Sequence, residues 1–275
     1  MNIRVHTKHH TSEYVRLWGL IVRSKIKRIR GNVALMFGGA RPLNDKPDSP
    51  IFGYIYRFLD IDPDEPWFDI EKNEEADPED VAQVNIPEKL KPNLTEFPYY
   101  FDPRTHRLYF QAGGTDGGVS ANLIYLLFEK IAASKRVKSS FGDIDFTILT
   151  DKNALREMLS WPVIRKIYVK LERPNPSDFD DDASFYERLK RRNLKREEHT
   201  YTKDSTAESI EPDQEMKNIF KVAVDNGVYK QEGVDKAGYS REASSKSYPM
   251  EEVTKYDPNA MTHADAFISA ASEIA

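Results

Sequence analysis

The sequence predicts an α+β fold: a mixed sheet with helices on one face, plus a charged helical and β-meander C-terminal region. Three observations carry that expectation. Strand-length runs of alternating or wholly apolar residues recur through residues 1–173. Two amphipathic helices open behind capping residues, Ser120 and Asp151. Pro174-Asn175-Pro176 then breaks the pattern, because two prolines cannot continue a ladder, and charged sequence follows. The expected domains are therefore 1–173 and 174–275.

Taken in order, residues 2–8 read as a short strand, and Thr11 or Ser12 opens a helix with Tyr14, Trp18, Ile21 and Val22 on one side. Were that helix to continue, Arg16, Arg23, Lys27 and Arg30 would form a basic stripe within about 60°. Lys25-Ile26-Lys27-Arg28-Ile29-Arg30, however, alternates with period two and ends at Gly31. A helix to Arg23 followed by a strand is the better parse.

RPLNDKPDSP is a turn-rich connector, and Ile51–Leu59 is apolar on both faces, as a central strand covered on two sides would be. Trp67–Glu71 reads as a second short strand. Glu71–Pro98 is acidic and punctuated by proline, a surface excursion. Tyr99-Tyr100-Phe101 and Arg107-Leu108-Tyr109-Phe110 flank Asp102-Pro103-Arg104-Thr105, a hairpin signal.

Ser120 caps a helix that buries Leu123, Ile124, Leu127, Phe128 and Ile131. Asp143–Leu149 is a strand, Asp151 caps a helix through Leu155, Met158 and Leu159, and Ile167, Val169 and Leu171 alternate with charges in a further strand. Beyond the prolines, Asp178–Asp182 starts a charged helix whose later part, RLKRRNLKREEH, is basic. A second helix from Asp213 stops near Asn226-Gly227, and the tyrosine-dotted remainder suggests a meander.

Composition removes whole classes of chemistry. The chain has no cysteine, so disulfides, zinc knuckles, thiolate catalysis and iron–sulfur ligation are out, and a cytoplasmic location is expected. No signal-peptide core or apolar run of membrane-spanning length is present, so no membrane association is expected. A net charge of -5 favours no bulk polyanion, which leaves the question to local patches.

The candidate sites are few. Gly113-Gly114-Thr115-Asp116-Gly117-Gly118 lies between a strand and a helix N-terminus, where backbone amides can hold a phosphate. It lacks the Lys-Ser/Thr of a P-loop and does not match GxGxxG, so a flexible turn is expected. His6, His9 and His10 supply at most two imidazoles to one strand face, too few for a metal. Asp60, Asp62 and Asp64 resemble a calcium loop, but Glu65 stands where that loop needs Gly and no Glu closes it. Asp143 and Asp145 could chelate magnesium, yet no lysine follows at nuclease spacing. No cofactor and no metal are expected.

Arg16, Arg23, Lys25, Lys27, Arg28 and Arg30 form the densest positive segment outside 188–196 and are the candidate partner- or nucleic-acid-binding residues. Such density can follow phosphates or grip an acidic protein tail, and Tyr14 and Trp18 could add stacking if exposed. The acidic stretch 60–80 could instead neutralise it within the fold. Arg192-Asn193 with His199 resembles the Arg-Asn…His signature of HEPN ribonucleases, which act on RNA from a helix, and gives the alternative reading as an RNA-cleaving toxin.

An ordered set of segments carries a wider resemblance: Ile29-Arg30-Gly31; Gly53-Tyr54-Ile55-Tyr56 with Ile61-Asp62 and Trp67-Phe68-Asp69; Ile86-Pro87-Glu88-Lys89-Leu90-Lys91-Pro92-Asn93; Phe101-Asp102 with His106–Phe110; and Arg173-Pro174-Asn175-Pro176. In these the chain resembles a bacterial and prophage family similar to Tin-type phage-exclusion proteins, and looks loosely like RexA. The resemblance implies antiviral defence: interference with phage DNA replication through the phage single-stranded DNA-binding protein or nucleic acid, by a possible homodimer able to touch DNA. It supplies no catalytic residues.

Overall fold

The computed structural model describes residues 1–5, 10–113, 119–172, 185 and 187–275. The first layer is a seven-stranded sheet in the order β2-β3-β4-β7-β8-β1-β9. Its chain begins with β1 (Asn2–Val5), α1 (Thr11–Val22), β2 (Lys27–Arg30), β3 (Val33–Pro42) and β4 (Ile51–Leu59). The parse of helix then strand over residues 11–30 therefore holds.

An excursion follows β4, carrying the small hairpin β5 (Phe68–Asp69) and β6 (Glu74–Glu75) and one helical turn, α2 (Pro78–Val81). β7 (Thr95–Asp102) and β8 (Arg107–Phe110) then form the expected hairpin. α3 (Ala121–Ala132), α4 (Lys135–Phe141) and β9 (Ile144–Thr147) complete the layer. Ser120 caps α3 as its Oγ accepts from the Leu123 N–H.

β4 lies between β3 and β7, as its two apolar faces require. On one face of the sheet, Tyr14, Leu17, Trp18 and Ile21 of α1 meet Ile124, Leu127, Phe128 and Ile131 of α3 over Phe37, Tyr99 and Phe101. Trp18 stacks on Phe101 at 4.1 Å and donates from Nε1 to the Tyr99 hydroxyl at 3.2 Å. Gly53 is fixed by this packing: a Cβ there would stand 2.6 Å from both the Gly38 carbonyl and the Tyr99 hydroxyl.

The second layer is a four-stranded sheet in the order β11-β10-β12-β13. α5 (Lys152–Leu159), capped by Asp151, leads to β10 (Val163–Glu172). Then come β11 (Arg196–Thr202), a helix (Gln214–Asn226), β12 (Gly227–Val234), β13 (Ser240–Ser244) and a C-terminal helix (His263–Ile274). Ile167, Val169 and Leu171 of β10 bury against Phe220, Ala223 and Tyr229.

Both strand partners of β10 lie beyond residue 174, so the division expected at 173 cuts between strands of one sheet. The Pro174 run itself and the helix start at Asp178–Asp182 fall outside the described residues. The α+β class stands, with one correction: every described strand pairing is antiparallel, so the sheet is not mixed. The cause is β1, which inserts between β8 and β9 and runs against both.

The C-terminal region meets the first layer at β8 and just beyond β9. Tyr109 of β8 donates to the Ile274 carbonyl at 3.3 Å, Met250 N–H donates to the Leu149 carbonyl at 2.7 Å, and Thr150 bridges to Pro249.

Candidate interaction site: a cationic sheet edge

The six basic residues fall on three elements with different fates. Arg16 projects from α1, lies 3.3 Å from Glu13 Oε2 and 4.6 Å over the Phe141 ring, and donates to the Ser140 carbonyl at 3.4 Å. It pins α1 to α4. Arg28, on β2, lies 2.9 Å from Asp60, 3.6 Å from Asp62 and 3.7 Å from Glu65. Asp60 also takes Lys91 at 2.6 Å, and the Lys91 hydrogen bond, assisted by Arg28, holds its carboxyl below the usual aspartate range. Neutralisation by the acidic stretch is thus real at Arg28. The would-be calcium residues instead tie the root of the excursion to β2, with Asp62 accepting from the Asp64 N–H at 3.2 Å.

Arg23, Lys25, Lys27 and Arg30 differ. None makes an ion pair with a described carboxylate, and Arg23, Lys25 and Arg30 are exposed. Arg23 ends α1, Lys25 lies in the extended link, and Lys27 and Arg30 lie on β2, the terminal strand of the sheet. The period change after Arg23 therefore gathers four unpartnered cations along one rim. Tyr14 and Trp18 do not join them. They are 0% and 1% exposed, in the core, and Tyr14 stacks on His106 at 3.7 Å, so neither can stack on a base.

The other sequence candidates disperse. His6 and His9 and the loop 114–118 lie outside the described residues, and no described cluster of His, Asp and Glu suits a metal. Asp143 pairs with Lys195 at 3.2 Å. The Arg192–His199 pair is corrected in its premise of a shared helix. The stretch 187–191 is helical, but Asn193 adopts φ 54°, the Asn193 N–H bonds the Lys190 carbonyl and the Leu194 N–H bonds the Leu189 carbonyl. This is a left-handed cap that ends the helix. His199 then sits within β11 opposite Val169, its Nε2 2.8 Å from Glu197 and its ring stacked on Tyr201.

Two features escape sequence reading. Arg4, 1% exposed, donates to Glu172 at 2.8 Å, to Asn226 at 3.4 Å and to Thr147, while Lys170 takes the other Glu172 oxygen. This buried knot joins the two sheets. The only hint was an arginine between Ile3 and Val5 on an apolar strand. The second is an apolar cleft of 340 Å³ between Leu108, Ile148, Phe267 and Ile274. At its floor the Met1 amine donates to the Leu108 carbonyl at 2.8 Å, and burial lowers its pKa to about 5.

Among the described residues no helix is long and apolar enough to cross a membrane. A search of curated proteins finds no match. A family model, by contrast, matches residues 1–272. That span takes in both sheets and the cationic rim, and the chain belongs to the DUF4747 family, a domain of unknown function.

Proposed function

We propose that the chain is a phage-exclusion protein that works by binding. Its target would be a phage replication component, such as the single-stranded DNA-binding protein, or nucleic acid, and binding would block phage DNA replication. The observation that supports this most is the rim of Arg23, Lys25, Lys27 and Arg30, cations that no described carboxylate neutralises. Like charges gathered on one rim add to a local positive potential, which favours an anionic partner. The phage context comes from the sequence resemblance.

The test is a triple substitution, Arg23→Ser, Lys27→Ser and Arg30→Ser. Exposed charges without partners contribute little to folding, so the thermal melt should stay nearly unchanged. Phage plating on cells that express the variant should rise toward that on cells without the protein, and capture of the target from infected cells should fail. Full protection by the folded triple variant would sink the proposal.

A further inference from the structure

Among the described residues β2 pairs with β3 alone, Lys27 opposite Leu35 and Arg28 opposite Ala34. On its outer side the backbone groups of Lys27–Arg30 bond to no described group. An unpaired strand edge is a template for another strand. The four free cations run along this edge and past its N-terminal end, and Ile26 beside them is 37% exposed.

We propose that this outer side takes an extended acidic segment of a partner protein as an eighth strand of the sheet. The idea rests on the binding role proposed above and narrows it to a partner and a mode. Directly paired residues of neighbouring strands have Cβ atoms about 4.5–5.5 Å apart, so carboxylates on the incoming strand can reach Lys27 and Arg30 while its amides bond the edge. Lys25–Arg30 spans roughly 20 Å at about 3.3 Å per residue, which sets the ligand at six or seven residues. Arg28 is held by Asp60 and takes no part.

Single-stranded nucleic acid fits less well. It binds by stacking on aromatic faces as well as by charge, and the aromatics next to this segment, Tyr14 and Trp18, are buried. The competing account is that the cations only guard the edge against aggregation, a common use of lysine there. It does not explain Arg23 and Lys25, which lie outside the strand.

The experiment uses the full chain and a fluorescein-labelled peptide alternating Asp or Glu with Val. A twin peptide of equal charge carries N-methyl groups on alternate amides, and labelled oligothymidylate is the third probe. Anisotropy should show binding of the plain peptide, about tenfold or greater weakening by N-methylation, and loss with the folded triple serine variant. Equal binding of both peptides overturns strand addition while leaving the cationic surface in place. Tighter binding of the oligothymidylate overturns it in favour of nucleic acid. Binding of none of the probes means an edge guard only, and removes the binding surface as well.

Discussion

Arg4 and Arg30 stand on two strands of the same sheet, and the contrast between them separates architecture from availability. Arg4 is enclosed by Thr147, Glu172 and Asn226, and its guanidinium joins β1 to β10 across the two layers. Arg30 ends an edge strand and meets no described carboxylate. Arg28, two residues away, is intermediate, half-exposed and committed to Asp60, Asp62 and Glu65. Basic residues at similar strand positions thus do three jobs, and the carboxylates that fold back onto them decide which.

The sharpest way to break the contrast is Arg4→Ala. It removes the guanidinium from which Thr147, Asn226 and Glu172 accept hydrogen bonds. Removing one member of a buried pair costs about 3–5 kcal/mol, so urea unfolding should show a loss of that order. A loss indistinguishable from that of the triple serine variant would mean that burial does not set the two kinds of cation apart.

A buried amine tests the role of burial through pH. The Met1 amine has its pKa lowered from 8.0 to about 5 in the folded state. The unfolded chain therefore holds this proton at pH values where the folded chain does not. Stability from this group is complete above pH 8 and falls as pH drops toward 5, by about 4 kcal/mol at about 1.4 kcal/mol per pKa unit. Urea midpoints should climb between pH 5 and 8 with a slope near one proton. A flat profile would mean that the amine is solvated.

The smallest effect is expected at Arg28→Ser. The fold should survive, and the Lys91–Asp60 pair should persist. The excursion loses its ion pairs to β2 and keeps the backbone bonds from the Leu59 N–H to the Pro92 carbonyl and from the Asp60 N–H to the Asn32 carbonyl, so limited proteolysis should cut residues 60–94 a few-fold faster, most visibly at low salt. Unchanged cleavage would return Arg28 to the class of free cations.

Local signals were legible where hydropathy and caps agreed. The switch of period after Arg23, the Ser120 and Asp151 caps, the β7–β8 hairpin and the alternation of Ile167, Val169 and Leu171 all stand. β11 was hidden because Glu197, His199 and Tyr201 face inward and are only half-buried, so alternation exists without contrast in hydropathy. β3 passes through Gly38-Gly39, which blurs its pattern, and α4 is a short run of basic residues and serines with only Val137 and Phe141 to bury. The C-terminal helix buries little beyond Ala266 and Ala271, small residues that make a weak stripe.

Long-range order was not legible at all. No local pattern says that β1 belongs between β8 and β9, or that β10 joins strands beyond the prolines. The rim was legible as a segment, but its freedom was not, since only the fold shows that Asp60 and its neighbours reach Arg28 and stop there.

The place of β1 also bears on how the chain is made. Asn2 pairs with Arg107 on one side and with Thr147 on the other. Ribosomes add residues in order at about 5–20 per second, so β1 leaves the exit tunnel on the order of ten seconds before its second neighbour has been translated. Until β8 has been made, Ile3 and Val5, fully buried in the finished sheet, have no neighbouring strand, and from then until β9 they have one. Closure of the seven strands therefore waits on β9, near the middle of synthesis, and a chain truncated before it holds β1 by one neighbour at most.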